Sequence, residues 1–182
     1  PEALVFGERA GRFAAEEVSG MGQSWSDGDA ASALDRLSSF GGGTPSGANA
    51  AAGELLAELQ SLMWERVGLL RTEDSLSNAL DRLRRMQRED LPAIAAQTDG
   101  RSALAVQDWF GLRMSLLAAE SVALAALNRC ESRGAHQRED FPETLPAYDQ
   151  NQIVTLRDGA LRLTQSPVAT VEIPKVPLEA TR

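Results

Sequence analysis

The stretch SALAVQDWFGLRMSLLAAESVALAALNRC, residues 102–130, decides the fold. Trp109, Leu112, Leu116, Ala119, Ala123 and Ala126 recur three and four residues apart, which places them on one side of a helix. Its second half, LLAAESVALAAL, is apolar nearly all round, so the helix belongs at the centre of a bundle. The many alanines allow neighbouring helices to approach closely.

Two partners for it lie upstream. Residues 51–67 carry Leu55, Leu56, Leu59, Leu62, Met63 and Val67 at helical spacing, with Gly68 as a stop. Thr72 reads as an N-cap for a helix over 73–91, with Glu73 and Asp74 in the first turn and a stripe of Leu76, Leu80, Leu83 and Met86. Pro92 is expected to kink or end that helix near Leu91. Further out, residues 1–18 read as an extra helix with Leu4, Val5 and Phe13 on its apolar side. Gly7 and Gly11, four apart, would permit another element's backbone to approach it. Residues 19–50, including FGGGTPSG at 40–47, have linker composition, with a short helix expected at 29–37. Beyond residue 142 the period changes to two. IVTL and ALRL flank Arg157-Asp158-Gly159, a hairpin signal, and VATVEI offers a further strand. The fold class that follows is mainly α: a three-helix antiparallel bundle with an N-terminal extra helix and a small β-hairpin C-terminal tail.

Charge and composition exclude several functions. With 26 acidic against 18 basic residues, a net charge of −8, the chain lacks the cationic surplus that nucleic acid or an anionic lipid surface demands. Neither binding to nucleic acid nor direct membrane insertion is expected. No segment reads as a membrane span, and no signal peptide opens the chain. One cysteine, Cys130, and one histidine, His136, supply neither a zinc set nor a Ser-His-Asp choice. Cys130 reads as a small core residue, and the lone thiol points to a reduced, cytoplasmic setting. No GxGxxG follows a strand, so a self-sufficient dinucleotide enzyme is not expected. Pro1 is no initiator, and the sequence there reads as a helix under way, as though cut from something larger.

One dense constellation remains: ESRGAHQREDFP, residues 131–142, with Glu131, Arg133, His136, Arg138, Glu139 and Asp140 directly after the most apolar helix. At a helix end cations meet the last carbonyls and carboxylates pair with guanidinium groups. A largely buried ion-pair network built on Glu131, Arg133, His136 and Arg138, docking this region onto a neighbour, is favoured over a catalytic cluster.

ESRGAHQREDFP also closely resembles the signature that follows the helical bundle in flavoprotein subunits of succinate dehydrogenase and fumarate reductase, and L-aspartate oxidases have a similar segment. PEALVFGERAG at 1–11, ELQSLMWERVGLLRTEDSLSNALDRL at 58–83 and DWFGLRMSLLAAESVALAAL at 108–127 agree in order and spacing. The resemblance covers nearly the whole chain up to Pro142 and implies an FAD-dependent oxidoreductase acting on a four-carbon dicarboxylate. It implies that the FAD-binding glycines, the substrate-binding arginine and the acid catalyst lie upstream of Pro1, so no catalytic, cofactor-binding or metal residue is expected here. The helix from Pro1 and Glu2 would belong to the upstream FAD-binding domain, its N-terminal end toward the flavin. Aspartate oxidases tend to stop soon after the motif, whereas 40 residues follow Pro142. That favours a succinate/fumarate-type subunit with an iron–sulfur partner, attached peripherally at the inner membrane face through its partners. An aspartate oxidase region and a free-standing helical interaction module are the alternatives.

Overall fold

The computed structural model describes residues 2–20, 27–38, 40, 45–98 and 102–169. The chain divides into two compact units, residues 1–39 and 40–182. The first contains α1 (Glu2–Gly20) and α2 (Asp27–Ser38). Along α1 the apolar residues Leu4, Val5, Phe6, Phe13 and Val18 are exposed, and among the described residues nothing comes within 4 Å of where a Cβ on Gly7 or Gly11 would sit.

The second unit holds α3 (Pro45–Arg66), β1 (Leu70–Arg71), α4 (Glu73–Arg85), a π turn (Met86–Asp90), α5 (Leu91–Gln97), α6 (Ala103–Asn128), β2 (Gln137–Arg138), β3 (Gln150–Arg157) and β4 (Ala160–Pro167). Residues 45–50, read from composition as linker, form the first turns of α3. Proline suits a helix's opening turn, where its missing N–H leaves no bond unmade.

Helices α3, α4 and α6 run up, down and up around one core. Leu59 (4% exposed), Leu83 and Leu116 (both 0%) lie in the same buried cluster, one from each helix, so the three stripes meet. Trp109 lies in that cluster too, stacked edge-on against Phe110 and Phe40. Thr72 caps α4 reciprocally: its Oγ1 accepts from the Ser75 N–H at 3.2 Å, and Ser75 Oγ accepts from the Thr72 N–H at 3.0 Å.

Pro92 does not end the helix. Proline cannot donate to the carbonyl four residues back, and its ring crowds that carbonyl. The helix widens ahead of it, so that the Leu91 N–H reaches back five residues to the Met86 carbonyl. It then continues as α5 to Gln97. Trp109 secures the junction, its Nε1–H donating to the Leu91 carbonyl at 2.9 Å.

Contrary to the sequence reading, α6 is long and apolar enough, by length and composition, to cross a bilayer, with a mean hydropathy of 1.5. Its leucines, more than its alanines, produce that value. Leu112, Leu116, Ala119, Ala123 and Ala126 are buried against the other helices, as the core helix of a bundle requires. Cys130 is half-buried just past its end and does not enter the core.

The tail is an antiparallel hairpin, β3 against β4, in the same compact unit as the bundle. Asp158 (φ 51°) and Gly159 (φ 75°) make its two-residue turn, both in the left-handed region that such turns need. Most of the VATVEI stretch lies outside the described residues.

Candidate functional site

Three helix ends gather at one pole of the bundle: the C-termini of α3 and α6 and the N-terminus of α4. Each leaves backbone groups without helical partners, carbonyls at the first two and N–H groups at the third. The segment 129–150, with Arg71 beside it, supplies the missing partners.

Arg138 is the central piece, buried to 1% exposure. Its Nη1 donates to the α6 carbonyls of Ala126 (3.2 Å) and Leu127 (3.1 Å), and more distantly to that of Arg129 (3.4 Å). Nε and Nη2 form a two-pronged pair with Asp140, both contacts at 2.7 Å. The Phe141 ring lies 4.8 Å from the guanidinium carbon. Asp140 in turn accepts the Glu73 N–H at 2.7 Å, the first amide of α4. Arg138 and the Glu73 amide together hold the Asp140 carboxyl at a pKa of about 2.

His136 has both ring nitrogens engaged. Nε2 lies 3.0 Å from the Arg129 carbonyl, which only accepts, so Nε2 carries the proton. Nδ1 therefore accepts from Arg71 Nη1, 2.8 Å away. Arg71 Nε donates to the Val67 (3.1 Å) and Gly68 (2.9 Å) carbonyls at the end of α3. Burial, aided by Arg71, Arg138 and Arg129, lowers the His136 pKa and keeps the ring neutral. A short parallel pairing, Leu70 with Gln137 and Arg71 with Arg138, runs alongside, and the Glu139 N–H donates to the Arg71 carbonyl at 2.9 Å.

Glu131 is fully buried, at 0% exposure. Its Oε1 pairs with Arg129 Nη1 and with Arg133 Nε at 2.9 Å. Its Oε2 accepts the Leu145 N–H at 2.8 Å and Arg133 Nη2 at 3.3 Å. The Arg133 contact, ahead of the Leu145 amide and Arg129, holds the Glu131 carboxyl at about 2 against the opposing effect of burial. Arg133 itself is not buried: its side chain is 40% exposed. The reason is local. Arg133 and His136 bond to each other's backbone across a tight turn, with Gly134 at φ 57°, and that turn faces solvent. Arg129 reaches onward to the Tyr148 (3.0 Å) and Gln150 (2.8 Å) carbonyls, fastening the start of the hairpin.

The four motif residues thus serve two adjoining networks, Arg138 and His136 at the helix ends and Glu131 with Arg133 under the tail. Arg71, Arg129 and Ser132 join them without a sequence signal. Arg71 is distant in the chain, and Ser132 Oγ is a buried relay, accepting the Arg138 N–H at 2.9 Å and lying 2.9 Å from the Phe141 carbonyl.

Among the described residues no group of three or more metal-ligating side chains occurs. Among the described residues no strand leads through a glycine-rich loop into a helix, and the only parallel strand pair is two residues long.

The sequence matches the family described as fumarate reductase flavoprotein C-term over residues 56–181. An uncharacterized FAD-dependent oxidoreductase of Methanocaldococcus jannaschii is 33% identical over 156 residues, covering 84% of this chain and 27% of the relative. A fumarate reductase flavoprotein subunit of Haemophilus influenzae is 29% identical over 181 residues, covering 92% and 28%. An L-aspartate oxidase of Acinetobacter baylyi is 34% identical over 114 residues, covering 63% and 19%. The chain spans little more than a quarter of the length of the first two. Among solved structures, a variant FrdA of E. coli quinol fumarate reductase superposes with a TM-score of 0.73 at 27% identity, covering 94% of this chain and 30% of that one.

Proposed function

Since this chain belongs to the fumarate reductase flavoprotein C-terminal family, we propose that it is the helical C-terminal portion of an FAD-dependent flavoprotein and is itself structural. The intact protein interconverts a four-carbon dicarboxylate and its unsaturated product, the hydride passing to or from flavin held by residues outside this chain. It works beside an iron–sulfur subunit, cytoplasmic and peripheral at the inner face of the membrane.

The observation that supports a structural role is saturation. The buried and half-buried groups of the motif already have their partners: both carboxylate oxygens of Glu131, both ring nitrogens of His136, and all three guanidinium nitrogens of Arg138. A general base or a substrate-binding arginine needs a lone pair or N–H free for the substrate. Glu131, His136 and Arg138 hold none in reserve. A network that closes on itself fixes the pole against which a neighbouring domain can dock.

Extent of likeness supports the succinate/fumarate assignment over aspartate oxidase. The alignment with the Haemophilus subunit covers 92% of the chain, that with the Acinetobacter oxidase 63%. The test is a pair of preparations. The flavoprotein containing this chain should reduce fumarate or oxidise succinate with artificial carriers. The 182-residue chain alone should carry no stoichiometric flavin and do neither. A yellow, active chain overturns the structural reading, and aspartate oxidation without fumarate or succinate activity moves the assignment to the oxidase.

A further inference from the structure

The seam between α3 and α6 is open on one flank of the bundle. Two hollows, of about 440 and 480 Å³, lie along it and share Leu56 and Ser115, so they form one groove. Small residues make its floor: Gly53 on α3, and Gly111, Ser115 and Ala119 on α6. Trp64 stands at one end, 84% exposed, although tryptophan is among the side chains that gain most from burial. Leu104 and Val122, seven residues before Gly111 and seven after Ser115, extend the same stripe of α6 and are exposed as well.

Charge is nearly absent from the groove. Asp108 is the one charged residue among those that line it, in a chain whose residues are 24% charged. The carboxylates of α3 turn elsewhere: Glu54 and Glu58 line a separate hollow together with Arg82. A helix face left to water carries charge at such positions, and a contiguous apolar surface of this kind marks a contact. The floor of small residues lets another backbone settle close to both walls.

We propose that the groove seats the upstream part of the same polypeptide, through an apolar helix or ridge laid between α3 and α6, with Trp64 as the anchor. That seat rests on the reading of this chain as one portion of a longer flavoprotein, and it adds the flank to the pole as contact surface. The chain spans little more than a quarter of the first relatives it matches, so the larger share of such a protein is at hand to cover it. A covalently joined neighbour acts at a high effective concentration, which keeps the groove filled at all times. A second copy fits less well, because a two-fold contact sets hollow against hollow and neither fills the other. A lipid surface fits poorly too, since a net charge of −8 opposes anionic headgroups.

The test compares hydroxyl-radical labelling of Trp64, read by mass spectrometry, in the 182-residue chain and in the purified flavoprotein polypeptide that contains it. Trp64 should be labelled about fivefold or more slowly in the flavoprotein, as befits a residue in the core of a contact. Trp109, already buried, should be slow in both. Ser115→Arg places a charge on the floor of the groove. It should leave the melting temperature of the 182-residue chain within about 2 °C of the parent, as an exposed substitution does. In the flavoprotein it should raise Trp64 labelling toward that of the chain alone, with Trp109 still slow. If Ser115→Arg yields no folded flavoprotein, the parent's labelling decides. Equal labelling of Trp64 in both parent preparations overturns the proposal. So does protection already present in the 182-residue chain through self-association, or protection that needs a separate subunit or lipid vesicles. Flavin absorbance of the same preparation keeps the two readings apart. Bound flavin with an unprotected Trp64 sinks the seat alone, whereas a protected Trp64 without flavin supports the seat and sinks the flavoprotein reading.

Discussion

Replacing Arg138 with methionine tests the helix-end clasp most directly. Methionine keeps an unbranched apolar stem of similar reach and removes only the guanidinium. Lost with it are the two 2.7 Å contacts to Asp140, two contacts to α6 carbonyls and one to the Arg129 carbonyl just past the helix. Stranding a wholly buried charge costs about 3–5 kcal/mol. Asp140, however, is 28% exposed and can recover some hydration, which argues for the lower end. The carbonyls sit at 3.1–3.4 Å and each contributes less than a short bond. We therefore expect a loss of about 3 kcal/mol. For a chain of this size 1 kcal/mol shifts the melting temperature by about 2–4 °C, so Arg138→Met should melt roughly 6–12 °C lower. Circular dichroism melts at neutral pH measure it. A companion signature is specific to the mechanism. Asp140's folded pKa, about 2, lies below its ordinary 3.8, so its pairing contributes stability above 3.8 that is lost as pH falls toward 2. In Arg138→Met most of that acid-limb dependence should vanish. A melting temperature within about 2 °C of the parent, with the acid limb intact, would refute the clasp.

The remaining predictions concern single residues. His136 is kept neutral in the fold, its pKa lowered from 6.5, so its contribution is fully present above 6.5 and lost as pH falls below it. The melting temperature should therefore decline between about pH 7 and pH 5, and His136→Gln should flatten that slope; as the single histidine, its ring resonances report the titration directly. Leu116→Ala opens a cavity at a position with 0% exposure and should cost about 2.7–5 kcal/mol in urea unfolding. Gly68→Ala places a Cβ 2.4 Å from the Trp64 carbonyl oxygen, a backbone atom that cannot step aside, so about 1–3 kcal/mol should be lost by the same assay.

The helices were legible because burial writes itself as a 3.6-residue period. Leu59, Leu83 and Leu116 could be assigned to one core before any coordinates. Helix ends were less so. Pro92 signals a disturbance, but the sequence around it does not say whether the helix stops or widens, and the contact that secures the junction, Trp109 to the Leu91 carbonyl, spans 18 residues of chain. The start of α3 was hidden because Gly, Ser and Ala are as common in linkers as in a helix's opening turns. At the pole the motif exposed its charged residues and concealed their geometry. Two charges spaced two apart, Glu131 and Arg133, read as equally buried; the turn at Gly134 leaves one at 0% exposure and the other at 40%.

Helix polarity explains how one short segment, with Arg71 beside it, can serve three helix ends. The C-termini of α3 and α6 carry partial negative charge and the N-terminus of α4 partial positive charge, so the pole needs cations at two places and an anion at the third. Arg71 meets α3 and Arg138 meets α6, while Asp140 meets α4. Because α4 starts beside the end of α6, the cation and the anion must be neighbours. Glu139 and Asp140 form a turn closed by the Phe141 N–H donating to the Arg138 carbonyl at 3.2 Å, and the Arg138 and Asp140 side chains pair across it while each reaches its own helix. His136 fits the same logic as the neutral member. A second full positive charge beside Arg71 and Arg138 would repel both, whereas an imidazole donates to the Arg129 carbonyl and accepts from Arg71 without adding charge. Exchanging the signs, with Arg138→Asp and Asp140→Arg together, keeps the ion pair but turns each charge against its helix end. That double variant should be less stable than the parent despite conserving net charge; equal stability would mean that the pair acts alone and that helix polarity contributes nothing.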